Sequence, residues 1–270
     1  MIEAKQDWPR ITIVTPSYNQ ASYLEQTIRS VLDQQYPNLE YIIIDGGSAD
    51  GSIDIIKSYS DKLTYWVSET DKGQSDALNK GFRKASGEIL AWINSDDYYE
   101  KHVFYDVAIN YLNKGFDFFC GASRMINESG ELIQELFTEN INFHSLLKYW
   151  KPHFCPPQPS MFFRREVYEE LGGLDESLNY SMDFDLWLRA SKKFKFRVTP
   201  GVLSNYRVHT NSKTGSGEGL RKFIPEWRML IRRQLAEEPL KTRLKYSLEE
   251  QKHLISRRVN QLSLPLFRHS

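Results

Sequence analysis

The hydrophobic positions fall into short apolar runs that alternate with segments of helical period. Ile11-Thr12-Ile13-Val14-Thr15, Tyr41-Ile42-Ile43-Ile44, Leu63-Thr64-Tyr65-Trp66-Val67 and Ile89-Leu90-Ala91-Trp92-Ile93 each have strand length and turn residues at their borders, which predicts buried strands. Between them Leu24, Ile28, Val31 and Leu32 recur at helical spacing up to about Gln35, where Tyr36-Pro37-Asn38 breaks the pattern. Ile53 and Ile56 mark a helix from about Ser52, with Ser48 or Asp50 available as cap. Ala77, Gly81 and Ala85 share a stripe beside Leu78 and Phe82. Strands alternating with helices predict parallel crossovers. Right-handed crossovers gather the strand C-terminal ends on one edge.

Past residue 100 the pattern becomes less regular. Val103, Phe104, Val107, Ala108, Tyr111 and Leu112 give one apolar face to a helix over 101–114. Phe116 to Cys120 reads as a strand closed by Gly121, and Asn127-Glu128-Ser129-Gly130 as a hairpin turn. Lys151 to Pro159 is a loop stiffened by four prolines, and such a loop inside a compact domain points to function. Ser160–Phe163 reads as a short strand, Arg164–Leu171 as a helix stopped by Gly172-Gly173, and Phe194–Val198 as another strand. Asp183 falls in the first turn of a helix carrying Phe184, Trp187 and Leu188, where a helix dipole favours its ionised form. Gly215–Gly219 reads as a linker, followed by helical sequence interrupted at Pro239.

The fold class expected is α/β: an open, mostly parallel sheet flanked by helices, with a helical C-terminal tail. Residues 1–100 and 101–214 are expected to be two halves of one domain, and 215–270 a basic helical tail.

Composition refines this picture in two places. Net charge is zero, with 26% charged and 40% hydrophobic residues, so no global field draws the chain to nucleic acid. From Gly219 onward, however, 12 Lys/Arg face 5 Asp/Glu. Trp227, Leu230 and Ile231 with Arg228, Arg232 and Arg233 then suggest an amphipathic helix for a membrane surface, for a second copy, or simply for solvent. Cys120 and Cys155 lack metal-ligand spacing and read as free thiols in a reducing compartment. The N-terminus shows no apolar signal core and no stretch reaches membrane-span length, so the expected location is cytoplasmic, with peripheral contact at the inner membrane face through the tail as a variant.

The predicted strand edge collects Pro16 to Asn19, Asp45 and Asn94-Ser95-Asp96-Asp97. In open α/β sheets ligands bind at that edge. Paired carboxylates there suit a hard divalent cation. Neither the dinucleotide nor the P-loop glycine pattern occurs, so phosphate charge must be met by a metal or by side chains.

These residues together resemble the family-2 glycosyltransferases of the GT-A fold, over roughly Ile11 to Thr214. The elements that match are Thr15-Pro16-Ser17-Tyr18-Asn19, Ile44–Gly51, Asp71–Gly81, Asn94-Ser95-Asp96-Asp97, Leu171–Glu176, Met182–Arg189 and Tyr206-Arg207-Val208-His209. The resemblance implies transfer of a sugar from a nucleoside-diphosphate sugar, UDP-sugar favoured, to a hydroxyl on a saccharide or lipid-linked acceptor, in polysaccharide or glycolipid biosynthesis. It implies donor binding by Pro16, Tyr18, Asn19, Asp45, Gln74, Asn79, Ser95 and Asp96. Asp96 would hold Mn²⁺ or Mg²⁺, and Asp183 would be the base of an inverting displacement; His209 is a candidate further ligand to the metal or the diphosphate, with a structural role as the alternative. Two positions depart from the pattern: Asn94 stands where the metal motif begins with Asp, and Met182 where Glu precedes the base. They motivate the rival reading of a nucleotide-binding module without turnover; a nucleotidyltransferase, which has a similar sheet, would need an early Gly-rich phosphate loop, and the Pro16 loop is not one. Trp92, Tyr98, Tyr149, Trp150 and Trp187 are candidates to stack on sugar rings, with core packing the better account of Trp92 and Trp187. Acceptor choice is expected in Glu139–Gln158.

Overall fold

A computed structural model describes residues 7–151, 154–210, 212–213, 215 and 219–262. The first hundred residues form the expected units. These are β1 (Ile11–Ser17), α1 (Ala21–Leu32), β2 (Leu39–Asp45), α2 (Ser52–Ser58), β3 (Tyr65–Ser68), α3 (Gln74–Phe82) and β4 (Ile89–Trp92). β1 pairs in parallel with β2 and β4, and β2 with β3. Alternation along the strands divides the interior into two cores. Ile11, Ile13, Ile43, Ile89 and Ala91 face one side; Val14, Ile42, Ile44, Leu90 and Trp92 face the other. Gly81 lets α3 lie close on the sheet, since a Cβ there would stand 2.4 Å from Val14 Cγ1.

The second half continues the same sheet. It contributes β5 (Tyr98–Tyr99), α4 (Val103–Lys114), β6 (Phe118–Ile126), β7 (Leu132–Leu136), α5 (Phe143–Leu146), β8 (Met161–Arg164), α6 (Arg165–Glu170), α7 (Met182–Ala190) and β9 (Phe196–Arg207). The strand order is β3-β2-β1-β4-β8-β6-β9-β5, with β7 beside β6. β8 runs antiparallel to both β4 and β6, so β6 points the same way as β1 and β4. The Asn127–Gly130 turn does close a hairpin, β6 to β7.

Three sequence expectations are corrected. Gly121 does not end β6: it lies inside the strand, where a Cβ would meet Leu203 of β9 at 2.3 Å. β9 runs well beyond Val198, because it pairs with β6 along nearly the whole length of that strand. The tail helices α8 (Gly219–Leu235) and α9 (Leu240–Leu262) do break at Pro239, but they belong to the body. Leu230, Ile231, Leu235 and Tyr246 are buried in the same core as α7. The Trp227/Leu230/Ile231 stripe is therefore an inner face, and burial against α7 removes it as a membrane or dimer surface. No helix among the described residues is long and apolar enough to cross a membrane.

Candidate functional site

β4 ends at Trp92, and the turn that follows carries Asn94 to Asp97 to the upper edge of the sheet. Asp97 is buried, and the Arg207 backbone N–H donates to its Oδ1 at 2.8 Å while Asn94 Nδ2 donates to its Oδ2 at 3.2 Å. Burial and the adjacent Asp96 push its carboxyl well up, and these two donors oppose that shift. Asp97 thus holds the turn together, leaving Asp96 to face outward. Asp96 Oδ2 lies 3.0 Å from His209 Nε2. The Arg207 guanidinium fixes this juxtaposition. It donates to Asp96 O, Gln26 Oε1 and Glu128 O, and sits over the rings of Tyr23 and Tyr98 at 5.0 and 5.7 Å. Tyr23 also packs on the His209 ring at 4.8 Å. Pairing of β5 with β9 is what brings residue 209 back to residue 96.

Asn94 is the hub of a side-chain chain. It accepts from Gln74 Nε2 at 2.6 Å and donates to Gln158 Oε1 at 3.2 Å. Gln158 donates in turn to Trp92 O, and Gln74 accepts from Lys213 Nζ at 3.0 Å. Lys213 also donates to Asn179 O. Beyond Lys213 is Asp183, in the first turn of α7. Its Oδ1 accepts from the Phe184 N–H at 2.7 Å. Burial pushes its carboxyl up to about 6; nearby backbone donors and Lys213 oppose this, and Glu226 adds to it. The helix-dipole expectation of a favoured ionised form is thus outweighed by desolvation. The Cys155 thiol feels the Asp183 charge and is itself pushed up, chiefly by burial; both cysteines are free, as expected.

The first loop sits on the same edge. Pro16 and Ser17 belong to β1 rather than to the loop. Tyr18 is exposed, and Asn19 takes a left-handed φ of 51° and accepts from the Ala49 N–H. Asp45 is fully buried and spends its carboxylate on Gly47 N–H, Ser48 N–H and the Ser48 and Ser68 hydroxyls, so it shapes this loop. Beside it the Asp71 carboxylate and the Tyr18 ring close over Gly46, where a Cβ would stand 2.6 Å from Asp71 Oδ2. Ser95 is buried within the Asn94–Asp97 turn.

Asn79 stands apart. It donates to Leu174 O and Glu176 Oε1 and accepts from Tyr168 Oη and the Leu174 N–H. With its donors and acceptor engaged, it clasps α3 to the loop after α6 in place of the expected donor contact. Tyr149 and Trp150 are likewise held by α9, through Glu250 at 3.0 Å and the His253 ring at 5.6 Å. Trp92 and Trp187 stack at 5.5 Å, both fully buried. Arg207, Gln158, Lys213 and Asp71 are the polar residues that sequence reasoning did not single out. Arg207 and Asp71 lay inside quoted motifs, and Gln158 inside the Pro-rich loop flagged as functional. Pro152 and His153 of that loop, and 216–218 of the expected linker, lie outside the described residues.

The sequence profile described as Glycosyl transferase family 2 matches residues 12–172. An uncharacterized glycosyltransferase of Rickettsia typhi is 30% identical over 245 residues, spanning 85% of this chain and 74% of that protein. S. aureus TarS 1-349 in complex with UDP-GlcNAc aligns with a TM-score of 0.68 at 17% identity, covering 86% of this chain and 68% of that one. The mannosyltransferase PcManGT from Pyrobaculum calidifontis, in complex with GDP-Man and Mn²⁺, aligns with a TM-score of 0.58 at 20% identity, covering 84% and 69%. At these identities the two structures share the fold with this chain.

Proposed function

The chain belongs to glycosyl transferase family 2 with a GT-A-like fold, and from that premise we propose an inverting, cation-assisted sugar transferase with Asp183 as base. One observation carries the reading. One hydrogen-bonded path, Lys213–Gln74–Asn94–Asp97, runs from a cation whose charge acts on Asp183, its carboxyl raised to about 6, to the chain neighbour of Asp96, which pairs with His209.

Asp183 takes the proton of an acceptor hydroxyl as that oxygen bonds to the anomeric carbon. The bond from that carbon to the donor phosphate oxygen breaks on the opposite face, so configuration inverts. A raised pKa suits the step, since the base must be ionised yet basic near neutral pH. Lys213 places a cation between the two ends, where the diphosphate charge would lie.

Among the described residues no group of three or more His, Cys, Asp or Glu could hold a metal alone. Mg²⁺-type sites commonly use one or two carboxylates plus substrate phosphates, and the open carboxylate of Asp96 beside an imidazole fits such a substrate-completed site. Asp96 and His209 would hold the ion, and when bound it would neutralise charge on the departing diphosphate. The exposed Tyr18 ring and the Asp71 carboxylate, beside Asn19 on the same edge, are the proposed nucleoside seat. UDP-sugar is the first donor to test because the TarS structure holds UDP-GlcNAc, and GDP-sugar the second because PcManGT holds GDP-Man.

The test is a thermal-shift panel of UDP, GDP, dTDP and CMP, each with and without Mn²⁺, followed by NMR of the anomeric product. A Mn²⁺-dependent shift with one nucleotide and an inverted product support the reading. Retained configuration would overturn it.

A further inference from the structure

Helix α9 has two apolar faces, and only one is used by the fold. Its inner face carries Tyr246 and Glu250, both buried. Trp150 packs on Tyr246 at 5.7 Å, and Glu250 accepts from Tyr149 Oη and pairs with Arg228 Nε, each at 3.0 Å. Its outer face carries Leu240, Leu244, Leu248 and Ile255, which are 65%, 55%, 63% and 59% exposed. Their spacing of four, four and seven residues puts them on one line along the helix.

Charge divides the same way. The only acids in α9 are Glu249 and Glu250. Both are turned toward the body, Glu249 pairing with Lys148 at 3.4 Å and Glu250 with Arg228. Lys241, Arg243, Lys245 and Lys252 are exposed, and among the described residues none has an ion-pair partner. Lys148, Lys241 and Lys245 also line, together with Glu249, a groove of about 210 Å³ beside the first turns of the helix.

We propose that the outer face of α9 lies on an anionic lipid surface, with the four aliphatic side chains entering the acyl boundary and the flanking cations meeting lipid phosphates. An exposed aliphatic line flanked by unpaired cations is the pattern of a helix that rests in the interface plane. The same charge argues against a second copy of the chain, because two such faces would set cations against cations. This contact is separate from sugar transfer, and it replaces the inner-face residues of α8 with an outer face of α9.

The experiment is co-sedimentation of the full chain with vesicles, without nucleotide. Phosphatidylglycerol-containing vesicles at low salt should pull the protein down, and pure phosphatidylcholine vesicles should not. Leu244→Glu/Leu248→Glu should weaken binding at least tenfold, and Lys241→Glu/Lys245→Glu should remove its salt dependence. Both pairs are at exposed positions, and unchanged Tm verifies that the fold is intact. No sedimentation of the wild type, or binding that the leucine variant leaves unchanged, overturns the proposal. So does a dimer in light scattering that the leucine variant dissociates.

Discussion

In the Asn94–Asp97 turn nearly every polar side chain is tied down. Asp97 is held by Arg207 and Asn94, Asn94 by Gln74 and Gln158, and the backbone of Asp96 by Arg207. At the start of α7 the arrangement is the reverse. Asp183 has one short bond, from the Phe184 N–H, and its carboxyl is set chiefly by burial. The first region is a fixed seat, suited to stabilising charge on a leaving group without reorganisation. The second is a desolvated carboxyl, suited to taking a proton. The difference explains why the two departures from the family pattern fall where they do. Asn94 donates to the buried Asp97 carboxyl, which an ionised aspartate could not do. Met182 is buried, with the Ser75 hydroxyl 2.9 Å from its sulfur, where a glutamate would bury a charge. Both residues have structural reasons, which weakens the motive for a module without turnover.

Removing the base should have the largest effect. Asp183→Asn is expected to lower kcat by about 10²–10⁴ while nucleotide-induced thermal shifts persist. Transfer at the wild-type rate would take Asp183 out of the role. The same variant should be more stable at pH 7. Burial raises the Asp183 carboxyl from 3.8 to about 6, so its contribution to stability is intact below about pH 4 and is lost as the pH rises through about 6. A calorimetric Tm at pH 7 and pH 4 measures both ends.

Asp96→Ala should erase the Mn²⁺-dependent part of nucleotide binding. For a ligand at about 100 times its dissociation constant that is a loss of about 2.7 kcal/mol, or several degrees of Tm. An unchanged metal dependence would sink the assignment.

Asn94→Asp sharpens the contrast from the other side. It sets a second carboxyl against buried Asp97 and should cost about 1–3 kcal/mol at neutral pH. The loss should shrink on acidification, as the facing pair comes to share a proton. Equal stability at pH 5 and pH 8 would show that the donor from residue 94 is dispensable.

The smallest effect is the acid limb of the wild-type profile. kcat/KM should fall below about pH 6, where Asp183 takes up its proton, approaching tenfold per pH unit. An acid limb near 4 would mean that substrate-free burial does not set the working base.

Much of the first hundred residues was legible because their information is local. Apolar runs of strand length, helical stripes and turn residues specify β1 to β4 from their own residues, and a parallel sheet then places Pro16–Asn19, Asp45 and Asn94–Asp97 on one edge. The motifs in the sequence pointed to the family, which the family profile bears out, and named Asp96, Asp183 and His209 as candidates. Only the tertiary structure decided what each polar side chain does there. The partners of Asn79, Asn94 and Asp97 include residues 95, 64 and 110 positions away. No local pattern encodes such pairs. β9 outgrew its sequence estimate because pairing with β6 extends it, and the apolar stripe of α8 turned inward because α7 offered a face to cover. Local sequence sets periodicity; whether a group becomes a ligand, a strut or a covered face depends on which remote segment packing brings against it.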